Sequence, residues 1–199
     1  MGECHLTVKG MAEVLLERAG IDTATEERLD RYGYFKQSAS MGHHLAGYGG
    51  LVRHSVNVTQ RLVTLTNALG VKWPRSESPY LVGMLHDLVK CRCYWLKEEV
   101  DGKPKWEYIQ PVYPGHGVCS VIIATDLGIC LYPDEITAIT YHMGTFGIGK
   151  EYTENEFDAA MKRFPSQIIA THTADWCTPP VSMRSNDFSV TVTEDKQER

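Results

Sequence analysis

The stretch LVGMLHDLVK, residues 81–90, sets a histidine and an aspartate side by side, His86 and Asp87, inside an otherwise apolar run. Its leucines recur at helical spacing, which predicts a helix that is hydrophobic nearly all round and therefore buried. An ionised carboxylate that is buried without a partner costs several kcal/mol. Asp87 therefore needs a cation, a dense set of hydrogen bonds or a metal ion beside it.

The composition of the whole chain limits the classes of protein to consider. With 199 residues, of which 43% are hydrophobic, the chain is most simply one soluble domain with a proper core. A net charge of -5 and a pI near 5.9 argue against a protein that coats nucleic acid. The sequence shows neither a signal peptide nor an apolar run of membrane-spanning length, so we expect a cytoplasmic protein without a membrane partner.

The cysteines are scattered among apolar neighbours. They stand at Cys4, Cys91, Cys93, Cys119, Cys130 and Cys177. This distribution favours reduced core thiols over disulfides, with a metal-binding Cys91–Cys93 pair as the less favoured alternative.

Helical patterns dominate the rest of the chain. The predicted helices cover residues 11–19, 51–69, a helix that begins at 78–79 and carries His86, and about 115–127, 134–142, 154–163 and 165–176. Residues 23–35 predict a weaker helical or irregular segment. Two aromatic-rich runs around Asp101-Gly102 predict a β-hairpin. We therefore expect an all-α helical bundle with a small hairpin insertion at about 91–112. It would form a single domain over 1–184, followed by a polar, flexible tail over 185–199.

Further histidines fall on the inward faces of separate predicted helices. His54 lies three residues after an inward leucine, His142 three after an inward isoleucine, and Asp175 seven after another isoleucine. His116 opens a helix of its own. Each side chain alone could simply be hydrogen-bonded in the core. Together with the pair in the opening stretch, they would repel one another or stay unsatisfied without a shared positive charge, which a metal ion would supply.

The order of these residues resembles the signature of the HD-domain superfamily of metal-dependent phosphohydrolases. GYGGLVRHSVNV (residues 47–58) is similar to its first-helix motif, LVGMLHDLVK to its Leu-Leu-His-Asp-x-x-Lys motif, and IIATHTADW (168–176) to its closing helix. The resemblance covers about residues 40–180. It is strongest to small stand-alone bacterial and phage HD proteins, related to the HD domain of 3′-to-5′ exoribonucleases. Many members have Ile-Gly where this chain has Leu88-Val89, a departure that leaves Lys90 in place.

Carried over by position, the resemblance implies a dinuclear site for divalent metal ions, with Mn, Fe, Ni, Co, Zn and Mg all open. The implied ligands are imidazoles and carboxylates: His54, His86, Asp87, His116, His142 and Asp175. One ion would be held by His54, His86, Asp87 and Asp175, and the other by Asp87, His116 and His142. Asp87 would therefore bridge the two ions.

The implied reaction is hydrolysis of a phosphate monoester or diester by a hydroxide that bridges the metals. The expected substrate is small and phosphorylated, such as a nucleotide or a short oligonucleotide, and an oligomer is possible. Asp87 and Lys90 are the expected catalytic residues, and Lys90, His44 and His172 the expected substrate contacts. The last three also have structural alternatives: a lysine at a helix end, a surface histidine and a core histidine.

Two other functions stay open at this point. The same ligand set resembles HD-fold mixed-valence diiron oxygenases, in which O₂ occupies the open metal positions, because histidine and carboxylate ligands also suit iron. Lys90 and the local motifs resemble the phosphohydrolase branch more strongly. The second alternative is a non-catalytic HD module that binds a nucleotide or a protein partner.

Overall fold

The computed structural model describes residues 5–41, 45–112, 115–177 and 188–189. Two short terminal strands, β1 (His5–Leu6) and β4 (Phe188–Ser189), pair with each other in antiparallel fashion. Apart from these last two residues, the predicted polar tail over 185–199 lies outside the described residues.

Helices account for most of the described chain. In order they are α1 (Val8–Arg18), α2 (Thr23–Arg31), α3 (Gly50–Leu69), α4 (Ser78–Leu85), α5 (Lys90–Cys93), α6 (His116–Asp126), α7 (Pro133–Thr140), the 3-10 helix η1 (Gly144–Gly147), α8 (Glu154–Arg163) and α9 (Pro165–Trp176). Local signals explain several ends. Thr7 and Asp22 cap α1 and α2 by accepting a backbone N–H, and Gly70 ends α3 in the left-handed conformation.

The helix that leads to His86 is shorter than the sequence pattern predicts. α4 ends at Leu85, His86 is its C-cap, and residues 86–89 form a turn before α5 begins at Lys90. Within this turn the backbone N–H of Lys90 donates to the carbonyl of Asp87, three residues earlier, at 2.9 Å. The prediction of one continuous helix is wrong because apolar spacing does not distinguish an α-helix from tighter turns. The prediction that this stretch is buried is confirmed: His86 is fully buried and Asp87 is 3% exposed.

The predicted hairpin is present. β2 (Tyr94–Val100) and β3 (Lys103–Tyr108) pair in antiparallel fashion around Asp101-Gly102. Both turn residues have positive φ, 51° and 71°, as a type I′ turn requires. The strands are shorter than the predicted insertion over 91–112, because residues 91–93 continue the chain as helix α5.

The fold is mostly helical with a small antiparallel hairpin, as the sequence predicts. α3 packs against α1, α4 and α9, while α7 packs against α4, α6 and α9. Across the described residues, we find no helix with both the length and the apolar character needed to cross a membrane.

Two glycines set the distances between helices around the centre of the bundle. A Cβ added to Gly83 on α4 would lie 2.5 Å from Oγ1 of Thr59 on α3. A Cβ added to Gly117 on α6 would lie 2.4 Å from the carbonyl oxygen of Ile139 on α7. Only a residue without a side chain allows these backbones to approach so closely. The two contacts hold together the elements from which His54, His86, His116 and His142 project.

Candidate metal centre

The side chains predicted as metal ligands converge on one place, from the helices or turns at α3, α4, α6, α7 and α9. Their donor atoms form three overlapping groups, and within each group all atoms lie within 4.8 Å of one another. The groups are His54, His86 and Asp87; His86, His142 and Asp175; and Asp87, His116 and His142. The first and third groups belong to the two predicted halves of the site. The second joins those halves through His142.

Backbone carbonyls orient two of these histidines. Nδ1 of His86 lies 2.9 Å from the carbonyl oxygen of Gly83, and Nδ1 of His142 lies 2.7 Å from that of Ile139. Because a carbonyl oxygen only accepts, each Nδ1–H is the donor, and in the neutral ring the lone pair is on Nε2. Each ring therefore directs a potential metal-binding nitrogen towards the centre of the cluster.

His54 lies between the two carboxylates. Its Nε2 is 3.1 Å from Oδ1 of Asp175 and 3.2 Å from Oδ2 of Asp87. Burial lowers the pKa of His54, but hydrogen bonds to Asp175 and Asp87 outweigh this effect and raise the pKa above its ordinary value. The two carboxylates thus favour the protonated form of His54, whose charge would compensate part of theirs.

Asp87 has the densest set of contacts in the cluster. Its Oδ1 is 2.6 Å from Nε2 of His116, and its Oδ2 is 2.6 Å from Nζ of Lys90. Burial raises the pKa of Asp87, but the charge of Lys90 and the hydrogen bond to His116 hold it well below its usual range. Asp87 therefore stays ionised although it is buried, because a lysine ammonium and a histidine compensate its charge.

The pKa values of Asp175 and Lys90 are shifted by their partners in the same way. Burial raises the pKa of Asp175, but its hydrogen bond with His54 lowers the pKa below its ordinary value. Burial lowers the pKa of Lys90, but the charge of Asp87 raises it above its ordinary value. The cluster thus contains a compact set of buried ionic pairs.

The surroundings of His142 indicate whether these residues fit a metal ion. Its Nε2 is buried and has no hydrogen-bond partner among the described residues. Oδ1 of Asp87 is 3.7 Å away, which is beyond hydrogen-bonding distance. Leaving a buried polar atom unsatisfied costs about 1–3 kcal/mol, and a cation bound at this lone pair would remove that cost. Imidazole nitrogens and carboxylate oxygens are the ligands that divalent transition metals take, so the donor set fits.

The predicted substrate contacts have different positions. His44 lies outside the described residues. Lys90 lies at the cluster, paired with Asp87. His172 is adjacent to the cluster: its Nδ1 donates to the backbone carbonyl of His142 at 2.7 Å, so it holds the segment that carries a candidate ligand.

Gly83 and Gly117 were not identified as site residues from the sequence. Gly83 accepts from Nδ1 of His86 through its carbonyl, and both glycines allow the close approach of the helices that carry the candidate ligands. A glycine inside an apolar helical run, three residues before His86 or directly after His116, is a signal that could have indicated close helix packing.

The clustered side chains can bind ions that an isolated histidine or aspartate cannot hold. Nitrogen and oxygen donors from five parts of the chain surround one small volume, with a lysine ammonium beside them. Such a site can hold one or two divalent cations and attract an anion. Comparisons of the chain with protein-family models, with curated proteins and with solved structures each return no match.

Proposed function

We propose that this chain is an HD-type metal-dependent phosphohydrolase that cleaves a phosphate monoester or diester. The observation that carries the proposal is the set of three overlapping donor groups, which includes a buried histidine nitrogen without a hydrogen-bond partner among the described residues. An ordinary core would satisfy its histidines individually. Donors arranged in overlapping groups are instead suited to neighbouring ions with shared ligands.

In this proposal His54, His86, Asp87 and Asp175 hold one divalent cation, while Asp87, His116 and His142 hold the other. The ions, when bound, supply Lewis acidity towards a phosphoryl oxygen and lower the pKa of the attacking water. The carbonyls of Gly83 and Ile139 keep His86 and His142 in the tautomer that leaves Nε2 available. The chain's own contribution is therefore to fix the direction of each donor before any ion arrives.

The proposed substrate-contacting group is Lys90. Its ammonium lies 2.6 Å from Oδ2 of Asp87, and Asp87 is the side chain that would bind both ions. A phosphoryl group bound beside Asp87 would lie within reach of this charge, which stabilises the negative charge that develops as the water oxygen bonds to phosphorus. The ester P–O bond would then break, and the departing alkoxide would take up the proton that the attacking water has lost. No nucleophilic side chain is required.

The proposed substrate is a small phosphorylated molecule, such as a nucleotide or a short oligonucleotide. A net charge of -5 provides no overall field to collect a long polyanion, so recognition would depend on the local charges of the site. Cys91 and Cys93 are buried thiols outside any disulfide, which is typical of a reducing compartment, and we propose the cytoplasm.

The test begins with elemental analysis of the protein as purified. The protein is then stripped with a chelator and reloaded separately with Mn, Fe, Ni, Co, Zn or Mg. Each form is assayed with p-nitrophenyl phosphate, bis-p-nitrophenyl phosphate and a panel of nucleotides. We expect up to two metal ions per chain and hydrolysis that disappears on stripping and returns on reloading.

Matched variants separate the site from the rest of the fold. Asp87→Ala should lose bound metal and turnover, and His142→Ala should lose one of the two ions together with turnover. Asp126→Ala removes an exposed carboxylate at the end of α6 and should change neither. A folded Asp87→Ala protein with normal metal content and turnover would overturn the proposal.

The same assays distinguish the two alternatives. A diiron oxygenase would consume O₂ in the presence of a small polyol and leave all phosphate esters untouched. A binding module would retain nucleotide or partner binding in a His86→Ala variant and show no turnover in any metal form. The ammonium of Lys90 beside the donor cluster favours a phosphate substrate over O₂, because an anion benefits directly from that charge.

A further inference from the structure

Three aromatic rings lie in a row beside the candidate metal centre, and we call them the aromatic row: the half-buried His172 and the exposed Trp176 and Phe146. The ring centroids of His172 and Trp176 lie 5.8 Å apart, and those of Trp176 and Phe146 lie 5.0 Å apart. The last two rings are nearly parallel, with an interplanar angle of 22°. Both are 58% exposed, so the stack leaves much of each ring in contact with solvent.

The row is attached to the candidate metal centre through named contacts. Nδ1 of His172 donates to the backbone carbonyl of His142, whose side chain belongs to the donor cluster. Trp176 lies one turn of α9 after His172 and directly follows Asp175, another member of the cluster. The aromatic row is therefore connected, through the backbone of residue 142 and through α9, to two of the candidate ligands.

The 3-10 helix η1, which carries Phe146, is packed tightly on both sides. A Cβ added to Gly144 would lie 2.9 Å from the ring of His172, and one added to Gly147 would lie 2.5 Å from the ring of Tyr152. The hydroxyl of Tyr152 donates to the carbonyl oxygen of Gly144. These contacts fix the backbone on either side of Phe146, and the ring itself packs on Trp176, so the ordering that binding requires is reduced.

We propose that the aromatic row is a nucleobase-binding subsite, and that the substrate is a nucleotide or oligonucleotide whose base stacks on Phe146 and Trp176 while its phosphate lies at the donor cluster. This inference names the substrate class and rests on the function proposed above. Flat, solvent-exposed aromatic faces bind the π-face of a base without reading its sequence. A simple phosphate ester without a base would contact the donor cluster alone.

The first experiment measures binding without any chemical step. Adenosine, which has no phosphate, is titrated into the metal-loaded protein by calorimetry, with ribose as the probe that lacks a base. We expect Phe146→Leu and Trp176→Leu to weaken adenosine binding about tenfold or more, the effect of losing one base–aromatic stack. Trp176→Phe keeps an aromatic face and should retain binding within about threefold. Ribose should not respond to these changes.

Trp95→Leu is the matched control, because Trp95 is 57% exposed but lies on the hairpin strand β2. It should leave adenosine binding unchanged. Equal weakening by Trp95→Leu, unchanged binding in both row variants, or no adenosine binding to the parent protein at millimolar concentration would each overturn the proposal. So would a row variant that changes only the oligomeric state, because the row would then be a protein interface. If Phe146→Leu does not fold, the Trp176→Leu and Trp176→Phe pair decides alone.

The second experiment separates this inference from the proposed function. The KM for adenosine 5′-monophosphate should rise about tenfold in the row variants, while the KM for ribose 5-phosphate and the metal content stay unchanged. Hydrolysis that is equally efficient with and without a base, together with failed adenosine binding, would remove the subsite and leave the phosphohydrolase. Adenosine binding that depends on the row, without hydrolysis of any phosphate ester, would remove the phosphohydrolase and leave the subsite.

Discussion

The Nε2 atoms of His54 and His86 lie 3.2 Å apart. His86 donates its other ring hydrogen to the carbonyl of Gly83, so its neutral ring presents a lone pair to His54. In the absence of a metal ion, a hydrogen on Nε2 of His54 is shared between these two nitrogens or is donated to Asp87 or Asp175. A divalent cation would instead bind both nitrogens at once.

Removing divalent metal should lower the thermal stability of the protein. A ligand that binds only the folded state adds about 2.7 kcal/mol to the free energy of unfolding when its free concentration is about 100 times its Kd. For a chain of this length we expect the Tm to fall by about 5 to 10 °C after chelation and to recover on metal addition. Differential scanning calorimetry measures the shift. His142→Ala should have a Tm that responds less to metal than the Tm of the parent protein, and a full response in that variant would contradict the assignment of His142 as a ligand.

Lys90→Met should reduce turnover without releasing metal. The substitution removes the ammonium that lies 2.6 Å from Asp87 while keeping much of the aliphatic side chain. Losing one group that stabilises charge in the transition state lowers kcat about 100-fold or more. Steady-state kinetics and elemental analysis on the same sample provide the two readouts. Lys97→Met, an exposed lysine on β2, is the control that should behave like the parent protein. Unchanged kcat in Lys90→Met would assign Lys90 a structural role only.

Gly83→Ala should disturb the candidate metal centre from a distance. The added Cβ would lie 2.5 Å from Oγ1 of Thr59, so α3 and α4 must separate. Overpacking of this kind costs about 1–3 kcal/mol. Because His54 and His86 project from these two elements, metal affinity should fall together with stability. Urea unfolding and metal titration measure both. Gly47→Ala, whose added Cβ would meet no atom within 4 Å, should change neither quantity.

Arg75→Met should destabilise the fold without affecting metal binding. Arg75 donates to both carboxylate oxygens of Glu135, at 2.8 and 2.9 Å, and Glu135 is fully buried. Removing the arginine leaves a buried charge without its cation, which costs about 3 kcal/mol. Urea unfolding measures the loss. Arg31→Met breaks only an exposed ion pair with Glu27 and should cost less than about 1 kcal/mol. A similar loss in the two variants would show that Glu135 does not depend on Arg75.

The sequence predicts many local features because they depend on near neighbours along the chain. The helices α8 and α9 have the predicted bounds, and Gly70 ends α3 as expected. The turn after α4 was missed, since the apolar pattern of residues 81–90 continues across it. The 3-10 helix η1 also gave no periodic signal, because four residues are too few to show one.

By itself, the sequence determined a mostly helical fold with a small hairpin and indicated which histidines and aspartates should face inward. Residue type and spacing are enough for this, because a buried charge requires compensation whatever its surroundings. Only the tertiary structure decided that these side chains share one centre, that Lys90 is paired with Asp87, and that Trp176 stacks on Phe146. Such relationships depend on distances between helices, which are set by side-chain volumes and by close contacts such as that of Gly83 with Thr59.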